Sequence, residues 1–281
     1  MSLRVLLALL WAVLGVLSSW IEGTGARRPE PGIAEVPDVR RPLPGPSARD
    51  PIVQVSEGKP CEDACIGTAF VVDDHGHWLT ARHVLTGCRQ IAIVTGPHCG
   101  IRAVEIAQHP RADVVLLESD PAAPPLARGA RALVVGQDGF HLGYPQGDPG
   151  DVHGELMGRV NVRGRHAGEP GMLWAEIERD PDNDLPLGGL SGGPVLDADG
   201  GVVGMAIAAS PRRGRVTSAA PESLDELLAQ AGLALPALAP GGERTAVGRS
   251  NYAAVGRDLR QRLSVAKVVC WHQAAASRRG R

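Results

Sequence analysis

Three residues of this chain have the types needed for nucleophilic hydrolysis, and each sits where its neighbours suit the work. Ser191 stands in a glycine turn, Gly188-Gly189-Leu190-Ser191-Gly192-Gly193-Pro194, at the head of an apolar run; His83 follows Thr80-Ala81-Arg82; Asp113 opens Asp113-Val114-Val115-Leu116-Leu117. A serine hydroxyl is a poor nucleophile near neutrality. It needs an adjacent base, and imidazole titrates in the range that lets it take a proton and hand it to a leaving group. A buried carboxylate on the other ring nitrogen fixes the tautomer and stabilises the imidazolium, which is the part open to Asp113. The tetrahedral intermediate carries an oxyanion, and backbone N–H groups reach it only where no side chain crowds the turn, so Gly189 and Ser191 are the expected donors. No single piece is specific. Gly, Ser and Pro make ordinary turns, His83 alone fits a strand end, and Asp73, Asp74 and Asp120 compete with Asp113. Joint occurrence singles the three out, in the order His, Asp, Ser, with His83 30 residues before Asp113 and Asp113 78 before Ser191.

The elements that must hold these side chains read as strands. Short apolar runs bounded by turn residues recur near 67–72, 77–80, 90–94, 101–107, 113–118, 132–136, 140–143, 152–161, 172–178, 194–197, 202–208 and 215–219. Beyond Ala220 the period changes. Pro221 to Gly232 has leucines at helical spacing, acids in the first turn and a glycine stop. Tyr252, Val255, Leu259 and Leu263 predict a second amphipathic helix, and Ala266 to Trp271 an apolar tail strand. This extension, 221–281, is expected to cap the second half of the fold, with a partner-docking helix as the alternative.

Gly67-Thr68-Ala69-Phe70-Val71-Val72, a polar turn and Trp78-Leu79-Thr80-Ala81-Arg82-His83-Val84 resemble the strand, hairpin and histidine segment of trypsin-like serine proteases. The aspartate strand at Asp113 and the loop Gly189-Leu190-Ser191-Gly192-Gly193-Pro194 resemble theirs, and Leu142-Gly143-Tyr144-Pro145-Gln146-Gly147 with Gly154–Val160 is most similar to the bacterial HtrA/Deg branch. The resemblance covers roughly residues 53–220 and implies an all-β fold of two six-stranded antiparallel Greek-key barrels. A peptidase domain at 52–220 then divides into barrel one, 52–130, carrying His83 and Asp113, and barrel two, 131–220, carrying Ser191, with the active site between them. The implied activity is exported serine endopeptidase chemistry on protein or peptide substrates, with no cofactor; a non-catalytic binding module of the same fold is the alternative. The resemblance also implies a specificity pocket floored by Leu185 and walled by Ile207, Ala208 and Ala209, all uncharged, and a disulfide between Cys65 and Cys88. Where many secreted relatives carry an aspartate that pairs with a freed N-terminus, this chain has Leu190, so that route of activation is closed.

Composition agrees. A chain of 281 residues with 36 glycines, 23 prolines and 43% hydrophobic residues suits many short strands joined by turns. A net charge of −2 gives no case for nucleic acid, and the Arg212-Arg213-Gly214-Arg215 cluster reads as a solvated loop. Arg4 followed by the apolar run Val5–Leu17 is a secretory segment over 1–26, cleaved or kept as an anchor, which places the protein in the bacterial periplasm or outside the cell, with membrane attachment through that segment if it is kept. A proline-rich linker follows at 27–51. All five cysteines lie downstream of the export segment, where disulfides form. His75, His77, His98 and Cys99 lack the spacings of a metal site, and no metal is expected.

Overall fold

The computed structural model describes residues 42–55, 61, 63–120, 123–130, 132–164, 168–238 and 246–272. The secretory segment and most of the linker lie outside them.

Apolar alternation and β-branched runs give thirteen strands: β1 (Ile52–Gln54), β2 (Ala64–Val71), β3 (His77–Thr80), β4 (Gln90–Gly96), β5 (Cys99–Gln108), β6 (Val115–Ser119), β7 (Asp138–Gly143), β8 (Gly150–Arg163), β9 (Glu169–Asp180), β10 (Pro194–Leu196), β11 (Val202–Ser210), β12 (Arg215–Ala219) and β13 (Val265–Trp271). Two helices, α1 (Pro221–Gln230) and α2 (Tyr252–Gln261), separate β12 from β13. The strands close into two antiparallel barrels. Barrel one runs β13-β2-β3-β6-β5-β4 and closes between β13 and β4. Barrel two runs β8-β7-β10-β11-β12-β9 and closes between β8 and β9, with β1 added in parallel beside the end of β8.

The strands of both barrels carry large buried side chains. Phe70, Trp78, Leu79, Leu116 and Leu117 are fully or almost fully buried in one, and Leu156, Met172, Trp174 and Val203 in the other. Both buried indoles find a hydroxyl, as such groups must: Trp78 Nε1 donates to Ser119 Oγ at 2.8 Å and Trp174 Nε1 to Ser218 Oγ at 2.9 Å.

Four expectations of the architecture change. The strand at 52–54 belongs to barrel two, because it pairs with Asn161–Arg163 of β8. Barrel one takes its sixth strand from the C-terminal segment, since β13 pairs with β2 from Val265↔Phe70 to Trp271↔Ala64 and with β4 on its other edge. Residues 132–136 form no strand; Val134 makes a single bridge to Pro42. The helices accordingly join the barrels instead of capping one: α1 lies against β11 and β6, and α2 against β7, β8 and β13. Arg260 of α2, buried, donates to both oxygens of buried Asp151 on β8 at 2.6 and 2.8 Å and to the Gly143 carbonyl at 3.3 Å.

The cysteines pair differently from expectation. Cys61 is bonded to Cys65, and Cys88 to Cys270, while Cys99 is free and exposed. The expected Cys65–Cys88 bridge fails because β13 brings Cys270 into the ladder beside Cys65 and takes Cys88 for itself.

Candidate active site

His83 lies in one 3-10 turn, Arg82–Leu85, immediately after β3. Asp113 stands two residues ahead of β6, so its carboxylate reaches back to that turn. One oxygen accepts the His83 backbone N–H at 2.8 Å and the other meets His83 Nδ1 at 2.5 Å. Both contacts fix the imidazole and the tautomer that carries its proton on Nδ1, leaving Nε2 as a base. Asp113 is only 6% exposed, a low-dielectric setting that strengthens the contact.

Behind the aspartate stands a residue that sequence spacing gave no reason to select. Glu169, the first residue of β9 in barrel two, is buried and accepts the Asp113 backbone N–H on Oε2 at 2.7 Å. Burial pushes its carboxyl up to about 7; the Asp113 N–H draws it down, the Asp113 carboxylate drives it further up and the Arg82 guanidinium opposes that.

Ser191 comes from barrel two on the loop before β10, and Thr68 of β2 in barrel one clasps that loop. The Thr68 N–H donates to the Ser191 carbonyl at 2.8 Å, and Thr68 Oγ1 donates to the Gly189 carbonyl at 2.8 Å while accepting the Tyr144 N–H at 3.0 Å. The loop's glycines are required. Gly189 has φ +100° and a Cβ there would fall 2.4 Å from the Tyr144 carbonyl oxygen; Gly192 has φ +89° and its Cβ would fall 2.0 Å from the Thr68 carbonyl oxygen. Leu190 is buried among Leu187, Trp174 and their neighbours, so apolar packing holds the place an ion pair would otherwise fill. Among the described residues, neither the Gly189 nor the Ser191 N–H donates to a protein acceptor, which leaves both for an oxyanion. Ser191 Oγ points to the Ile207 carbonyl at 3.5 Å.

Ser191, His83, Asp113 and Glu169 line one cleft of about 920 Å³. Ile207, Ala208 and Ala209 also line it. Leu185 does not join them: it is 57% exposed and lies outside the cleft lining, because the 180–188 segment carries it out to solvent. Arg212, Arg213 and Arg215, read from sequence as a solvated loop, line the far end of the cleft where the β11–β12 turn bends towards it. Along Ile207–Ser210, β12 pairs with one edge of β11, and among the described residues no strand pairs with the other. No helix among the described residues is long and apolar enough to cross a membrane.

Comparison with known proteins agrees with this fold. Residues 67–205 match the trypsin-like peptidase domain family. A probable periplasmic serine endoprotease, DegP-like, of Pseudomonas fulva is 27% identical over 153 residues, covering 53% of this chain and 30% of that protein. Protease Do-like 1, chloroplastic, of Arabidopsis thaliana is 30% identical over 149 residues, covering 50% of this chain and 32% of its own length. The active form of the Rv3671c protease from M. tuberculosis superposes with a TM-score of 0.50 at 18% identity over 73% of this chain and 100% of that one, a likeness of fold. The chain spans about a third of the length of the curated relatives it matches. Over residues 67–205 the chain carries a trypsin-like peptidase domain, and over that part it is similar to proteases of the DegP and Do-like kind.

Proposed function

We propose that the chain is an exported serine endopeptidase that works through an acyl-enzyme intermediate. The observation that carries this reading is the Asp113 carboxylate holding both the backbone N–H and Nδ1 of His83 in the cleft that Ser191 lines. An extended substrate adds to the unpaired edge of β11 at Ile207–Ser210, which aligns its scissile carbonyl with Ser191. His83 Nε2 takes the Ser191 hydroxyl proton as Oγ bonds to the carbonyl carbon, and the oxyanion accepts the Gly189 and Ser191 N–H groups. The proton passes to the leaving amine, the C–N bond breaks and the ester remains. Water, deprotonated by His83, then releases the acid and restores the hydroxyl. The wall of Ile207, Ala208 and Ala209 favours a small to medium apolar side chain before the scissile bond. Export is supported by the apolar segment after Arg4 and by the periplasmic naming of DegP-like relatives.

Ser191→Ala tests the assignment. The purified wild-type protein should cleave casein and label with a fluorophosphonate; the variant should fold, fail to label and lose several orders of magnitude in rate. Casein hydrolysis unchanged in the variant would sink the triad, and a wild-type protein that neither labels nor cleaves would make the fold a binding module.

A further inference from the structure

We propose that Gln146 is the positioning residue that holds the oxyanion hole in its working form, an inference that rests on the peptidase reading above. Gln146 follows Tyr144-Pro145 in the short turn after β7, and its backbone is left-handed, with φ 56° and ψ 15°. Non-glycine residues rarely adopt that conformation, and when they do the surrounding structure must hold them there. Here the conformation aims two donors at one target. The Gln146 backbone N–H donates to the Gly188 carbonyl at 2.5 Å, and the side-chain Nε2 donates to the Gly188 carbonyl at 3.2 Å and the Pro186 carbonyl at 3.0 Å.

The Gly188 carbonyl matters because it shares a peptide plane with the Gly189 N–H. In a trans peptide the C=O and the following N–H point in opposite directions. Pinning the oxygen on Gln146 therefore turns the Gly189 N–H to the other side, where among the described residues it meets no protein acceptor. A flip of this one plane would exchange the two, presenting a carbonyl to the developing oxyanion in place of a donor. Gly188 and Gly189 resist such a flip less than any other residues would. The hole thus depends on an external clamp, and Gln146 supplies it. The clamp is itself braced: Lys267 Nζ of β13 donates to the Gly147 carbonyl at 3.0 Å, and Tyr144 is tied to Thr68.

Gln146→Glu is the sharp test, since it keeps size and shape but replaces the amide donor by an acceptor that faces two carbonyls. Gln146→Gly removes the side chain, keeps the backbone donor and relaxes the left-handed conformation, so it guards against a folding defect. Casein-derived quenched peptide hydrolysis and the rate of fluorophosphonate labelling are measured for wild type, both variants and Ser191→Ala. Losing one oxyanion donor costs about 10²–10³ in kcat. Gln146→Glu should fall by that factor with KM within about twofold and an unchanged melting temperature, and Gln146→Gly should fall by less. A Gln146→Glu protein with wild-type kcat, or one whose loss lies in KM, overturns the clamp while the Ser191 assignment stands. A folded Gln146→Gly protein that keeps wild-type kcat shows the side-chain donor to be dispensable and likewise overturns it. A wild-type protein without turnover or labelling removes the peptidase reading, and the clamp with it.

Discussion

Replacing Glu169 by Gln should make the protein more stable at pH 8 and leave it nearly unchanged at pH 4.5. The carboxyl is buried against Asp113, with Arg82 the cation facing it, and its pKa stands at about 7 against an ordinary 4.5. The folded chain therefore keeps a proton that the unfolded chain releases above 4.5, and stability is drawn away as the pH rises from 4.5 through 7. At about 1.4 kcal/mol per decade of proton affinity, the ionised group costs about 3 kcal/mol at pH 8. Glutamine keeps an oxygen for the Asp113 N–H and never ionises, so the variant should recover most of that. For a domain of this size the gain corresponds to about 6–12 °C in melting temperature. Calorimetry of wild type and variant at pH 4.5 and 8.0 reads it directly, because taking the difference between the two proteins removes every other titrating group. A gain equal at both pH values, or none at pH 8, would refute the argument that burial beside Asp113 strains the ionised carboxylate.

Peptide mapping of the unreduced protein should recover Cys61 with Cys65 and Cys88 with Cys270, with Cys99 alkylated; a Cys65–Cys88 peptide would contradict the closure of barrel one by β13. Because the Cys88–Cys270 bridge spans 182 residues, loss of both cysteines by substitution with Ala should lower stability in urea by about 3–5 kcal/mol. Arg260→Met strands Asp151 without its partner in the interior and should cost about 3–5 kcal/mol, most of it regained in the double variant with Asp151→Leu. If the single and double variants unfold alike, the ion pair is not what joins α2 to barrel two.

The parts of the site that were legible in sequence are those fixed by local chemistry. Ser191 between glycines, His83 after a strand and Asp113 ahead of an apolar run are each recognisable from a few neighbours, and the strands at 77–80 and 215–219 fall where alternation puts them. What sequence hid depends on distant chain. Glu169 reaches Asp113 across 56 residues and Gln146 reaches Gly188 across 42, and neither leaves a periodic trace. The cysteine pairing followed from β13, whose apolar run reads as a strand without saying which barrel it enters. Leu185 was misplaced by counting back from Ser191, a method that fails once the intervening loop bends outward.

Barrel one has a seam that is sewn last. Residues β2 to β6 are made some 150 positions before β13, yet the barrel is open between β2 and β4 until Val265–Trp271 arrives. A chain that emerges N-terminus first therefore carries two bare strand edges, which invite foreign pairing, for as long as barrel two and both helices take to follow. The same late strand brings Lys267 to the Gly147 carbonyl under the Gln146 turn. Completion of the wall and support of the Gln146 turn come from the same strand, so a chain that stops before residue 265 carries His83, Asp113 and Ser191 with that turn unsupported. On the peptidase reading proposed above, that order of assembly acts as a timer.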